Sequence, residues 1–333
     1  MNLVADLITY LVNEKIISSA DVAKVSVSLV VGDAPKRPET VSRGFIVSRD
    51  HKPFLSVKFI PISWCFLVED ILKTRSLYAG FKYFKVPDML GHFSTTEGHF
   101  IIEEYIQSTA TLSELIENGD LKDQQVIEIF RNILSEIWAA SEPPQKEFVR
   151  QEVSNYRNYM QGLIDESLLN TIFPEYIEKT IYDNVDSLRQ SWSSGDIMEG
   201  NILLAGKYWY LVDYEYCHQT LFLFKEAYRY ILHRKWAKNS SLQDICPWLG
   251  HFPEDVAILL SLAWEKKICS DVLDIQANRI HQSKLRQVTW KILHPNANSM
   301  PTQHHIHKSS IGQLQENIKT QLRKIQLYIK SFK

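Results

Sequence analysis

Residues 194–216 read Ser194-Gly195-Asp196-Ile197-Met198-Glu199-Gly200-Asn201-Ile202-Leu203-Leu204-Ala205-Gly206-Lys207-Tyr208-Trp209-Tyr210-Leu211-Val212-Asp213-Tyr214-Glu215-Tyr216. Asp196, Asn201 and Asp213 fall within one short span. Moving a phosphoryl group asks little covalent chemistry of a protein, but it needs an oriented nucleophile and cations that neutralise the phosphates. Asp196 suits the first task. Ile202-Leu203-Leu204 reads as a short buried strand, Gly206-Lys207 as a turn and Tyr208–Val212 as the returning strand. Such a hairpin predicts that Asp213 comes back beside Asn201. An amide oxygen and a carboxylate are hard ligands suited to Mg²⁺, which keeps waters and substrate phosphates in the rest of its shell. Asp-x-x-x-x-Asn alone is common, and Gly-Asp often marks a simple turn. The specificity lies in the joint pattern of Gly-Asp, Gly-Asn before an apolar run, and apolar-Asp-Tyr-Glu a dozen residues later.

Gly195-Asp196, Glu199-Gly200-Asn201-Ile202-Leu203-Leu204 and Leu211-Val212-Asp213-Tyr214-Glu215-Tyr216 resemble the catalytic and metal-binding segments of the aminoglycoside phosphotransferase and choline kinase-like superfamily. The resemblance implies an α+β, protein-kinase-like fold of two lobes, with a small antiparallel-sheet N-lobe and a large, mostly helical C-lobe. It also implies Asp196 as catalytic base, Asn201 and Asp213 as holders of Mg²⁺, ATP as donor, and a small alcohol or sugar as acceptor. One residue departs from the pattern: Ser194 stands where the family usually has His.

Composition agrees with a folded chain of this size. The 333 residues, 45% hydrophobic and 23% charged, allow two lobes or domains, and the formal net charge of −2 offers no global attraction to nucleic acid. Cys65, Cys217, Cys246 and Cys269 lack paired metal-ligand spacing and read as free thiols of a reduced, cytoplasmic protein. No stretch reaches the roughly 18 uncharged apolar residues of a membrane span.

Along the chain, Asn2–Ile17 has helical apolar spacing. Val22–Val31, Thr40–Ser48 and Pro53–Ile60 read as a three-stranded antiparallel meander. This resembles the opening sheet of a kinase-like small lobe, and Lys58 on the third strand then falls where such a protein has the lysine that pairs the α- and β-phosphates. Glu69 is its expected helical partner, with Asp70 or a more distant residue as the alternative. Gly32–Glu39 has a single glycine and two prolines in place of a Gly-x-Gly-x-x-Gly run, with Lys36 and Arg37 as charges. Phe84–Leu90 and Gly98–Ile106 read as two further strands. Phe100-Ile101-Ile102-Glu103-Glu104-Tyr105-Ile106 resembles an interlobe hinge, which assigns the adenine edge to backbone groups of Glu104 and Ile106 and puts Glu103 at a position that is more often apolar.

From Thr111-Leu112-Ser113-Glu114, a capping signature, the chain turns helical. Ile127, Phe130, Ile133, Leu134, Ile137 and Trp138 share a face, and Leu221–Trp236 and Val256–Cys269 read as apolar helices. The Tyr- and Arg-rich stretch 147–184 is a candidate cleft lining as well as ordinary core. His304, His305 and His307 lack carboxylate or thiol partners and read as linker. The expected organisation is an N-lobe over 1–106, a C-lobe over 107–295, a linker over 296–310 and an amphipathic, coiled-coil-like helix over 311–333. That helix is suited to self-association, peripheral membrane contact or docking on its own domain. Its apolar stripe runs to Lys333, which points to a chain that continues.

Three functions follow. The first is an ATP- and Mg²⁺-dependent kinase acting on a hydroxyl of a sugar, glycan terminus or similar small molecule. The second keeps the reaction and takes choline, ethanolamine or an aminoglycoside as acceptor. The third is a catalytically silent kinase-like scaffold, which Ser194, the missing glycine run and Glu103 favour and which the retention of Lys58, Asp196, Asn201 and Asp213 opposes.

Overall fold

The computed structural model describes residues 3–30, 43–160, 173–213, 217–237, 239–250, 252–269 and 287–288. The chain divides into two compact units, Met1–Ile280 and His281–Lys333; only 287–288 of the second are described. The expected linker, the histidines at 304–307, the helix over 311–333 and the Lys36-Arg37 loop therefore lie outside the described residues.

β-branched and aromatic residues build a five-stranded antiparallel sheet in the order β1-β2-β3-β6-β5, from Val25–Val30 (β1), Arg43–Arg49 (β2), Lys52–Pro61 (β3), Met89–Ser94 (β5) and Gly98–Glu104 (β6). Alternation gives β3 two faces of different character. Leu55, Val57 and Phe59 join Phe45, Val47, Phe100 and Ile102 in a core that helix α1 (Leu3–Asn13) closes with Leu7 and Leu11. Ser56 and Lys58 point to the other face, with their cross-strand neighbours Glu103 and Ile101, beneath helix α2 (Val68–Tyr78). The first helix is shorter than its apolar spacing predicts: it ends at Asn13, and Lys15 takes the left-handed conformation at φ 60°, yet Ile17 still packs in the core.

The strand expected over Phe84–Leu90 is corrected into two pieces belonging to different sheets. Phe84–Lys85 (β4) runs parallel to β10, Met89 begins β5, and Pro87, which has no N–H to donate, lies between them. The predicted hairpin forms: β9 (Ile202–Ala205) pairs antiparallel with β10 (Tyr208–Leu211) across the turn at Gly206, whose φ of 60° a side chain would strain. β7 (Ala110–Thr111) completes that second sheet, in the order β4-β10-β9-β7. A two-stranded ladder joins β8 (Ser191–Ser193) to β11 (His218–Thr220).

Helices dominate the remainder. Thr111 caps α3 (Leu112–Glu117) through the expected box with Glu114. The apolar face of α4 (Asp123–Ala139) is buried from Val126 to Ile137, and Phe130 packs against Tyr230 and Trp236. Around it lie α5 (Lys146–Met160), α6 (Lys179–Asp183), α7 (Lys225–His233), α8 (Leu242–Ile245) and α9 (Glu254–Cys269), with α9 packed on α5 and α7. The helix read over Leu221–Trp236 is confined to α7; Leu221–Phe224 form a buried turn before it. Tyr156 in the Tyr-rich stretch is core, packed on Phe222. Among the described residues, Cys217 and Cys246 are buried free thiols and Cys65 is half-buried. No helix of the described residues is long and apolar enough to cross a membrane.

Candidate active site

The β9–β10 hairpin brings the two ends of residues 201–213 together. Ile202 is paired with Leu211, and Val212 N–H donates to the Asn201 carbonyl at 2.9 Å. Asp213 follows immediately with φ 71°, a left-handed conformation that a short polar side chain tolerates better than most. Its Oδ1 receives Lys58 Nζ from β3 at 2.7 Å. The lysine that the sequence singled out is thus joined to the carboxylate that the hairpin delivers.

Asn201 also ties down Asp196: its Nδ2 donates to the Asp196 carbonyl at 3.0 Å and to Asp196 Oδ2 at 3.2 Å. With the amide nitrogen so committed, Asn201 Oδ1 is turned elsewhere as a pure acceptor, as an oxygen ligand must be. Among the described residues, no group of three His, Cys, Asp or Glu side chains could hold a metal ion. One amide oxygen and one carboxylate oxygen are the ligand types that Mg²⁺ takes when waters and phosphates complete its shell.

Burial pushes the Asp196 carboxyl above its ordinary value. The Arg229 guanidinium, 2.7 Å from Oδ1, pulls it back, Asp213 adds to the rise, and Asn201 opposes it.

The loop carrying Asp196 is pinned at three points spaced three residues apart. Ser193 Oγ donates to the fully buried Glu226 Oε1 at 2.5 Å and accepts from Gly195 N–H at 3.0 Å. Asp196 pairs with Arg229. Glu199, almost wholly buried, accepts from Trp236 Nε1 at 3.0 Å and lies 2.9 Å from Arg234 Nε. Glu226 and Arg229 sit one turn apart on α7, so a single helix holds the first two pins. The sequence reading missed Glu226 and Arg229. Their signal was present as charged residues inside an otherwise apolar segment, a placement that costs free energy unless each charge is paired. Ser194, the departure from the expected pattern, is buried and faces the interior.

The expected helical partner lies elsewhere. Glu69 is largely exposed and pairs with Lys73 at 2.7 Å, one turn along α2, which lowers its carboxyl below the ordinary value. Asp70 stays on α2 with its carboxyl raised by burial. In the hinge, Glu104 N–H donates to the Asp88 carbonyl at 2.9 Å, Tyr105 N–H donates to the Phe54 carbonyl at 3.0 Å, and the Ile106 carbonyl accepts from Ser108 N–H at 2.9 Å. Since strand alternation turns Tyr105 to β3, Glu104 and Ile106 present their backbone edges away from it. The Glu104 carbonyl and the Ile106 N–H are the groups these bonds leave over.

No family model matches the chain, and no curated protein matches it. Solved structures do. A thermostable mutant of aminoglycoside phosphotransferase APH(4)-Ia, in ternary complex with ADP and hygromycin B, superposes with a TM-score of 0.53 at 11% identity, over 84% of this chain and 97% of that one. A fructosamine-3-kinase homologue from Haemophilus somnus 129PT superposes with a TM-score of 0.54 at 11% identity, over 81% of this chain and 91% of that one. At these identities the likeness defines the fold: the chain has the two-lobed, protein-kinase-like architecture that the 194–216 segment led one to expect.

Proposed function

We propose that this protein is a phosphotransferase that uses ATP and Mg²⁺ to phosphorylate a hydroxyl of a sugar, a glycan terminus or a similar small molecule. The observation that carries the reading is the convergence of Lys58, Asp196, Asn201 and Asp213, with Lys58 and Asp213 joined at 2.7 Å and Asn201 bonded to Asp196. A scaffold relieved of catalysis has no need to keep a buried carboxylate, an amide and a lysine in this relation.

Each residue then has one task. Asp196, kept oriented by Asn201 and Arg229, accepts the proton of the attacking hydroxyl. Lys58 neutralises the nucleotide phosphates from β3. Asn201 Oδ1 and Asp213 would hold Mg²⁺, which when bound shields charge on the phosphoryl oxygens. The Glu104 carbonyl and the Ile106 N–H are suited to the donor and acceptor on one edge of adenine. In this reading residues 1–106 bind the nucleotide and 107–295 position the acceptor, in a cytoplasmic protein whose 311–333 segment mediates self-association or peripheral membrane contact. The hygromycin B and ADP carried by the aminoglycoside phosphotransferase complex support a polyhydroxylated acceptor class.

The test is transfer from labelled ATP with Mg²⁺ to a panel of sugars, glycans, choline, ethanolamine and aminoglycosides, with Asp196→Ala as control. Transfer to a sugar or glycan that is lost in Asp196→Ala supports the reading. Transfer to choline or an aminoglycoside alone would replace the acceptor class. The absence of both transfer and a nucleotide-induced rise in melting temperature sinks the kinase reading.

A further inference from the structure

In protein kinases the phosphate-binding lysine is held by a glutamate from the helix packed on the sheet. Here that helix, α2, spends Glu69 on Lys73 at the surface, and the buried charge it sends inward is a cation. Arg75 Nη1 lies 2.7 Å from Glu103 Oε1 on β6, and the two side chains are only 4% and 3% exposed. Arg75 also donates from Nη2 to the Pro87 carbonyl, so the β4–β5 link fixes its position as well.

The strand register settles where Glu103 is aimed. It lies opposite Ser56, while Lys58 lies opposite Ile101, so Glu103 and Lys58 are diagonal neighbours on one face of the sheet. At about 7–8 Å between backbones, such neighbours are within reach when both side chains are long. Two further facts point the same way. No donor among the described residues is aligned on Glu103 Oε1, so its contact with Arg75 is a pairing of charges that leaves acceptor capacity unused. Burial raises the Glu103 carboxyl, and Lys58 and then Arg75 pull it back.

We propose that Glu103 of β6 is the positioning residue for Lys58, and that Arg75 of α2 holds Glu103 in place. The helix–sheet ion pair thus runs with its charges reversed, the sheet supplying the carboxylate and the helix the cation. The advantage is steric and electrostatic. Asp213 is an anion in direct contact with Lys58, and in the function proposed above, on which this inference rests, Asp213 would be drawn to the Mg²⁺ that it and Asn201 would hold. Glu103 cannot follow, because it is buried and clamped, so Lys58 keeps a counter-charge behind it while its ammonium meets the phosphates. Glu103 also directly precedes Glu104, so the same ion pair sets the strand that ends at the adenine edge.

The test replaces the pair by apolar residues of similar size, Arg75→Met with Glu103→Leu, since buried ion pairs are often exchanged this way without loss of stability. The expected result is a ligand-free melting temperature within a few degrees of wild type. Lys58 should be acylated several-fold faster by an amine-reactive reagent, read by mass spectrometry of its peptide, because its side chain loses the carboxylate that holds it in place. ATP affinity should fall roughly tenfold or more, about 1.4 kcal/mol per factor of ten. The reversed pair, Arg75→Glu with Glu103→Arg, should keep the fold yet lose nucleotide affinity, an outcome that a merely structural pair would not produce. Should the double variants not fold, Glu103→Gln, nearly isosteric, carries the same two readouts. Unchanged Lys58 acylation and unchanged ATP affinity in a folded variant overturn the proposal. A wild-type protein that binds no nucleotide instead fails the kinase reading, and the acylation rates still decide whether Glu103 acts on Lys58.

Discussion

Lys58 Nζ and Asp213 Oδ1 lie 2.7 Å apart although 155 residues separate them in the chain. The contact links the third strand of the N-terminal sheet to the end of the β9–β10 hairpin, and it joins the residue suited to phosphate with the residue suited to metal. Both partners are reachable by water, Asp213 at 36% and Lys58 at 14% exposure, so the pair stabilises the fold weakly. Lys58→Ala and Asp213→Asn should each change unfolding free energy by about 1 kcal/mol or less. Each should lower kcat/KM by about 10²-fold or more, the usual loss when a preorganised charge-stabilising group is removed. Chemical denaturation beside steady-state kinetics checks both; a large stability loss with little kinetic effect would reassign the pair as structural.

Arg229 is expected to set the acid limb of the pH–rate profile. Burial holds the Asp196 carboxyl above its ordinary value and Arg229 is the main influence opposing that rise. Arg229→Met removes the opposition, so the deprotonated base appears only at higher pH and the acid limb moves upward. Arg229→Lys should restore part of the shift. A profile of kcat/KM against pH that does not move in Arg229→Met would show that the pairing plays no part in tuning the base.

Glu226 should make stability fall as pH rises. Its carboxyl is fully buried and raised, with burial outweighing Lys225, Ser193 and Arg229. A group whose folded value lies above its unfolded one, about 4.3 for glutamate, contributes stability that is complete below the unfolded value and is lost as pH climbs through the folded value. Glu226→Gln removes that titration and flattens this part of the curve. Urea midpoints collected from acid to neutral pH for both proteins give the comparison, and parallel curves would refute the assignment.

Phe130 anchors the helical lobe. It is completely buried on α4, with ring centroids 4.1 Å from Tyr230 and 5.3 Å from Trp236. Phe130→Ala should cost about 3–5 kcal/mol through lost transfer free energy and a cavity. Because Trp236 also holds Glu199 at the end of the loop that carries Asp196, transfer activity near the melting transition should fall earlier than the bulk helical signal.

The thiol of Cys217 should be inert in the native protein. It is 1% exposed, and burial pushes its pKa up to about 12. A thiol reagent should modify Cys217 no faster than the protein opens, and labelling that keeps pace with an unfolded control would contradict its placement.

The hairpin is legible in the sequence, because Ile202-Leu203-Leu204, Gly206-Lys207 and Tyr208–Val212 carry strand, turn and strand signals within a few residues of each other. Asp196, Asn201 and Asp213 come with it, since a tight hairpin leaves little freedom in where its ends meet. Alternation places Lys58 on its strand, while its expected task toward phosphates rests on the resemblance to a kinase-like sheet. The sequence places Glu69 on the helix, but it does not disclose the partner that Glu69 selects. Lys73, four residues on, competes for it, and helical spacing alone does not say which face the core takes.

Local sequence therefore determined the strands, the capped helices and the hairpin that gathers Asp196, Asn201 and Asp213, because each depends on neighbours within one turn or one hairpin. Tertiary structure alone decided which charges meet. Arg75 with Glu103, Arg229 with Asp196, and Glu226 beneath Ser193 each join separate elements about thirty residues apart in the chain. A buried charge must find an opposite charge wherever packing puts one, and that choice is made by the register of the sheet and the facing of two helices.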